Sequence, residues 1–145
     1  MEVDLCQPDR RSPQLRCILT DQYLIEEVGT VMFEHILLAV DGSEYSRQAV
    51  ELTAALAKQS GAEVVVVHVH EHDVGRAASY LMETTAEATA LVDGVVADLK
   101  GMGIAASGEL HEARTGHAAR ALVDAAAAHN SNLIAMGSRG LGDLQ

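Results

Sequence analysis

The stretch Ile36-Leu37-Leu38-Ala39-Val40-Asp41-Gly42-Ser43 decides the fold. Its five consecutive apolar residues suit a strand covered on both faces, the situation of a parallel sheet between helices. Asp41-Gly42 breaks the run. Ser43 is placed to cap a helix carrying Ala49, Leu52 and Leu56 at i, i+3 and i+7.

Outward from this segment, strand and helix keep alternating. Ser60-Gly61 closes the first helix, and residues 64–69 (Val-Val-Val-Val-His-Val) read as a β-branched, fully buried strand. The next helix is predicted over roughly residues 77–99, with Leu81, Ala88, Leu91, Val92, Val95 and Leu99 on or near one face. Gly101 and Gly103 end it. Residues 104–111 have thin apolar content and read as an edge strand. Residues 116–129 form an Ala-rich helix packing through Ala118, Leu122 and Ala125, and Asn130-Ser131-Asn132 turns the chain into a last strand over 133–136. With right-handed crossovers, this alternation predicts an α/β fold with a doubly wound, mostly parallel, Rossmann-like sheet. Ligands of such sheets bind beyond the carboxyl ends of the strands. Here those ends carry Asp41-Gly42-Ser43, Val69-His70-Glu71 and Gly137-Ser138-Arg139-Gly140.

The composition narrows the partners. The chain has 145 residues, which makes one domain the expectation, and 48% are hydrophobic, an ordinary globular share. Aromatics are only 3%, so the core is built from small aliphatics and offers little surface for stacking bases. A net charge of -11 argues against nucleic-acid backbones and anionic membranes as partners. No apolar run approaches the ~20 residues of a membrane span, and a secretory signal pattern is lacking, so a cytoplasmic location is expected.

Residues 1–31 read as a non-core extension. They hold both prolines and both cysteines, Cys6 and Cys17, in weakly periodic sequence. Glu26-Glu27-Val28 can be encoded by GAGGAGGT, which resembles a bacterial ribosome-binding site, so translation is expected to start at Met32. The other reading is a disordered tail. The domain proper is expected over residues 32–145.

Each candidate site also has a plainer reading. Asp41 can accept from a ribose hydroxyl, and Gly42 lets the backbone turn tightly. Yet Asp, Gly and Ser are also what any capped strand-to-helix turn prefers. Gly137-Ser138-Arg139-Gly140 offers successive backbone amides to an anion, with a hydroxyl and a guanidinium beside them, though most G-x-x-G segments are simply turns. His68, His70 and His72 would share one face if the strand ran through all three. No carboxylate or cysteine is clearly placed to complete a metal site with them, Glu71 pointing the other way, and no metal is expected. No nucleophile–base arrangement stands out, so no catalytic residue is assigned.

Taken together, these residues resemble the universal stress protein family. The resemblance runs over residues 32–145. It rests on Ile36 through Ser43, on Val67-His68-Val69, and on Leu133-Ile134-Ala135-Met136-Gly137-Ser138-Arg139-Gly140-Leu141-Gly142. It implies a five-stranded parallel α/β domain, usually dimeric, that often binds ATP. On that footing Asp41, with Gly42 and Ser43, would lie near ribose and adenine, and Val69 would offer backbone groups to the adenine edge. Met136 would border the pocket, and Gly137, Ser138, Arg139 and Gly140 would approach phosphate. Of the family's G-x2-G-x9-G-[ST] pattern, the first half stands at Gly137 and Gly140, whereas the second would fall at positions 150 and 151. The family's last helix and fifth strand are likewise expected to be missing, leaving residues 133–136 as an uncovered edge. The expected function is adenine-nucleotide (ATP or AMP, with or without Mg²⁺) binding in stress response or adaptation, weakened by that loss. The alternative is an interaction module, pairing as a homodimer or with a related complete domain. A slow ATPase and a fragment of a longer protein are the remaining readings.

Overall fold

The computed structural model describes residues 33–72 and 84–138. The 1–31 extension with Cys6 and Cys17, Met32, residues 77–83 of the predicted helix, Arg139 and Gly140 lie outside the described residues.

The elements follow the order β1 (His35–Ala39), α1 (Glu44–Ser60), β2 (Glu63–His72), α2 (Thr85–Gly101), β3 (Ala106–Arg114), α3 (Ala118–Ala128) and β4 (Leu133–Ala135). The strands lie in the order β3-β2-β1-β4, and every neighbouring pair is parallel. The chain therefore winds outward from β1 to β3, then crosses back to the other side of β1. That reversal makes the fold doubly wound and puts the switch point between β1 and β4.

Alternation along β1 divides the core. Ile36, Leu38 and Val40 pack with Val64 and Val66 against Ala49, Ala54 and Ala57 of α1 and Val92 and Leu99 of α2. Leu37 and the β2 residues Val65 and Val67 face the opposite side, against Leu122, Ala125 and Ala126 of α3. A fully buried aliphatic contributes about 1.5–3 kcal/mol, so the neighbours Leu37 and Leu38 tie both layers to one strand. The thin β3 strand is the edge its composition predicted. Gly108 lets α2 sit down on it, because a Cβ there would lie 2.4 Å from Val92 Cγ1 and 3.0 Å from Val96 Cγ2.

Three of the element boundaries that differ from the sequence reading have a clear physical cause. β2 does not end at Val69 but runs to His72, because β3 continues beside it to Arg114, the partner of His72. The second helix starts at Thr85, where Thr84 and Glu87 form a capping box. Thr84 Oγ1 accepts from Glu87 N at 3.2 Å, and Thr84 N donates to Glu87 Oε2 at 2.8 Å. The donation from that backbone amide holds the Glu87 carboxyl below the usual carboxylate range. β3 begins at Ala106 rather than 104, since Ile104 is buried in the turn after α2.

The amino-terminal half of β3 is fastened to the end of α3 by a carboxylate between two imidazoles. His111 Nε2 lies 2.8 Å from Glu109 Oε2, and His129 Nε2 lies 2.9 Å from Glu109 Oε1. The His111 hydrogen bond outweighs desolvation, and with His129 it holds the Glu109 carboxyl below its ordinary range.

Candidate functional site

A cavity of about 170 Å³ opens at the switch point, beyond the carboxyl ends of β1 and β2 and after β4. Ala39, Val40, Asp41, Val67, His68, Val69, Ala118, Leu122, Met136 and Gly137 line it. Ala39, Val67 and Val69 belong to the α3 side of the sheet, and Ala118 and Leu122 come from α3 itself. The cleft is thus an apolar slot between the sheet and the first turns of α3, with polar groups gathered at its β1 rim.

That rim is built by local chemistry. Gly42 has φ 78°, a left-handed conformation that costs a side-chain-bearing residue strain. Asp41 Oδ1 accepts from Ser43 N at 2.9 Å, and Asp41 N donates to Ser46 Oγ at 3.3 Å. Ser43 Oγ accepts from Ser46 N at 3.1 Å as the cap of α1. Gly42 and Ser43 therefore shape and support the turn, while Asp41 reaches the cavity itself.

Across the cleft, Gly137 lies against the start of α1. A Cβ at this position would stand 2.8 Å from the carbonyl carbon of Tyr45, 2.9 Å from its Cβ and 3.0 Å from Ser46 N. Only a glycine lets the chain pass there, so this residue has a packing role whatever it binds. Met136 borders the slot with 58% of its surface exposed, and Ser138 is exposed just beyond. Of the predicted site residues, Asp41, Val69, Met136 and Gly137 come together around one cavity.

Two residues join the site in roles that the sequence pattern did not assign them. His68 is 6% exposed, and its Nδ1 lies 2.6 Å from the Val40 carbonyl oxygen. Glu71 Oε1 accepts from Gly116 N at 3.0 Å and from Ala118 N at 3.2 Å, so a carboxylate already occupies the amino end of α3. These partners are 45 and 47 residues away in sequence, which leaves no local signal. The extension of β2 does place His68, His70 and His72 at alternate positions on one face. Among the described residues, however, no three His, Cys, Asp or Glu side chains are grouped to hold a metal ion. His70 and His72 are half-buried, and His70 Nε2 is buried with no hydrogen-bond partner among the described residues. Among the described residues, no helix is long and apolar enough to cross a membrane.

A doubly wound parallel sheet with a slot at its switch point defines the class of Rossmann-like α/β domains. Within that class, a model of the universal stress protein family matches residues 32–145. A universal stress protein of Thermus aquaticus is 34% identical over 123 residues, covering 77% of this chain and 81% of the relative. The chain belongs to the universal stress protein family. A family member from Burkholderia pseudomallei, known by crystal structure, superimposes with a TM-score of 0.62 at 27% identity, covering 74% of this chain and 83% of its own. A universal stress protein from Archaeoglobus fulgidus, solved with dAMP, has the same fold with a TM-score of 0.56 at 24% identity, covering 72% and 80%.

Proposed function

We propose that this domain binds an adenine nucleotide, ATP or AMP, in the switch-point cleft, and serves stress response or adaptation through occupancy rather than turnover. The observation that carries this reading is the convergence of Asp41, Val69, Met136 and Gly137 on one slot with apolar walls. The base lies between the sheet and α3, against Val67, Val69, Ala118 and Leu122. Val69 presents its backbone to the base edge, Asp41 takes the ribose hydroxyls, and the phosphates, with any Mg²⁺, follow the chain from Gly137. Support also comes from relatives of the same fold whose structures hold dAMP, cAMP and AMP. The titratable residues that line the slot among the described ones, Asp41 and His68, each serve the turn at its rim, which favours a binder over an ATPase.

The test is a thermal melt of the full chain with AMP, with ATP–Mg²⁺ and with GMP, beside Ala118→Phe, which fills the slot from α3. Ligand at about 100 times its Kd stabilises by about 2.7 kcal/mol. Adenine nucleotides are expected to raise the parent midpoint and leave that of Ala118→Phe unmoved. Equal shifts in both proteins, or none in the parent, refute the reading.

A second reading has its own observation. Ile134 is 37% exposed beside Met136, on the α3 side of the short strand β4, which is an edge of the sheet among the described residues. Such an edge favours pairing with a second copy or a related domain. Light scattering of the purified chain at several concentrations decides it, because a monomer throughout excludes self-pairing.

A further inference from the structure

The ladder between β1 and β2 has a simple rule and one departure. Odd residues of β2 turn their amides toward β1, as in the bond from Glu63 N to Glu34 O. Even residues turn toward β3, as in the bond from Val64 N to Ala105 O. Carried along the parallel register, the rule sends the Val69 amide to the Val40 carbonyl. Val40 N does donate to Val67 O at 2.9 Å, so the two strands are still in register at this level. The Val40 carbonyl, however, is held by the His68 ring, with Nδ1 at 2.6 Å. A carbonyl oxygen can only accept, so Nδ1 carries the hydrogen and donates it.

We infer that His68 is a positioning residue of the nucleotide site: its ring takes the Val40 carbonyl, ends the β1–β2 ladder, and leaves the Val69 amide directed into the cleft. This rests on the adenine-nucleotide reading and names the device that prepares one of its donors. An amide with no acceptor among the described residues, beside an apolar slot, is suited to an acceptor nitrogen on a base edge, the kind of group a purine carries. The same bond fixes the last carbonyl before Asp41, so the ring also steadies the rim on which the ribose would rest. The cost is one ladder bond, offset by a buried imidazole–carbonyl bond of similar worth. The structure thus trades a backbone partner for a side-chain partner at the one level where a backbone donor is wanted for ligand.

Two variants test this on the full chain. His68→Asn keeps an N–H donor close to the Nδ1 position, whereas His68→Leu removes it. In the parent without ligand, amide hydrogen exchange followed by NMR is expected to show Val69 poorly protected and Val67 well protected. Ring ¹⁵N shifts of His68 are expected to show a hydrogen on Nδ1. In His68→Leu the freed carbonyl captures the Val69 amide, so its protection rises about ten-fold or more and AMP binding weakens about ten-fold. His68→Asn is expected to restore both toward the parent. If the Val69 amide is already protected in the parent, or unchanged in His68→Leu, the inference is wrong. Protection as expected, with AMP bound equally by all three proteins, confines His68 to a structural role and overturns it too. A parent that binds no adenine nucleotide overturns both it and the reading beneath it. AMP binding with a protected Val69 removes the His68 inference alone.

Discussion

Alanine in place of glycine should have opposite effects at three sites in this domain, and the structure sets the sign of each. At Gly137 the new Cβ would lie 2.8–3.0 Å from Tyr45 and from Ser46 N. Those distances are roughly 0.5–0.7 Å inside ordinary carbon contact at ~3.5 Å. Two of the three atoms met are backbone at the start of a capped helix, and they cannot swing aside as a side-chain tip can. The strand-end segment must lift off α1, at a cost of about 1–3 kcal/mol, the usual range for overpacking. At Gly108 the clash is with Val92 Cγ1 at 2.4 Å and Val96 Cγ2 at 3.0 Å, in the α2–β3 contact, with a similar cost. At Gly94, inside α2, nothing lies within 4 Å. Alanine there is expected to stabilise by about 0.5–1 kcal/mol, because the unfolded chain loses freedom and the helix gains a better former. Each ~1 kcal/mol moves the midpoint by roughly 3–6 °C in a domain of this size. Calorimetry on the three variants is the assay. A Gly137→Ala protein that melts with the parent would show that the segment is not seated on α1, and the rim geometry would fall with it.

Other perturbations follow from single groups. Thr53 is 0% exposed with Oγ1 unpartnered, so Thr53→Val is expected to raise stability by about 1–2 kcal/mol in urea unfolding; a loss would mean the hydroxyl is satisfied. Ser43→Ala removes the α1 cap and is expected to lower stability by about 0.5–2 kcal/mol, with Ser43→Asp recovering most of it. Glu109 has a depressed carboxyl pKa in the fold, so its contribution is present above the unfolded value of ~4.3 and lost as pH falls through the folded one. Glu109→Gln should therefore flatten the fall in urea midpoint below about pH 5, and an unchanged acid limb would rule the clamp out.

The fold could be read from the sequence because its decisive signals are local. Five apolar residues followed by Asp41-Gly42-Ser43 specify strand, turn and cap without any knowledge of neighbours. Boundaries set by pairing were harder to read. β2 passes Val69 because a partner strand more than forty residues later keeps pace with it, and His-Glu-His carries no apolar mark of a strand. The start of α2 was readable in principle, since Thr84-x-x-Glu87 is a capping box, but the apolar positions upstream concealed it. In the site, the residues that close a turn announced themselves. Those that act across the sheet did not. Val67 becomes a wall only once the parity of β2 is known, and His68 looks like any strand histidine until its ring is seen on Val40.

Glu71 bears on where phosphate can go. A parallel α/β domain offers an anion the amino ends of its helices, and two of them flank this cleft. The end of α3 is already served, because Glu71 accepts from the amides of Gly116 and Ala118. The end of α1 is overlaid by Gly137 at its first turn. A phosphate is therefore directed along the backbone that continues from Gly137, while the base takes the α3 side. This gives the ligand one orientation across the switch point. Glu71→Ala should vacate the α3 amides, lowering stability by about 1–3 kcal/mol in phosphate-free buffer. Adding inorganic phosphate should then recover stability in the variant to a clearly greater extent than in the parent. Equal phosphate responses would mean that Glu71 does not occupy the α3 anion position, and the argument for a single ligand orientation would lose its basis.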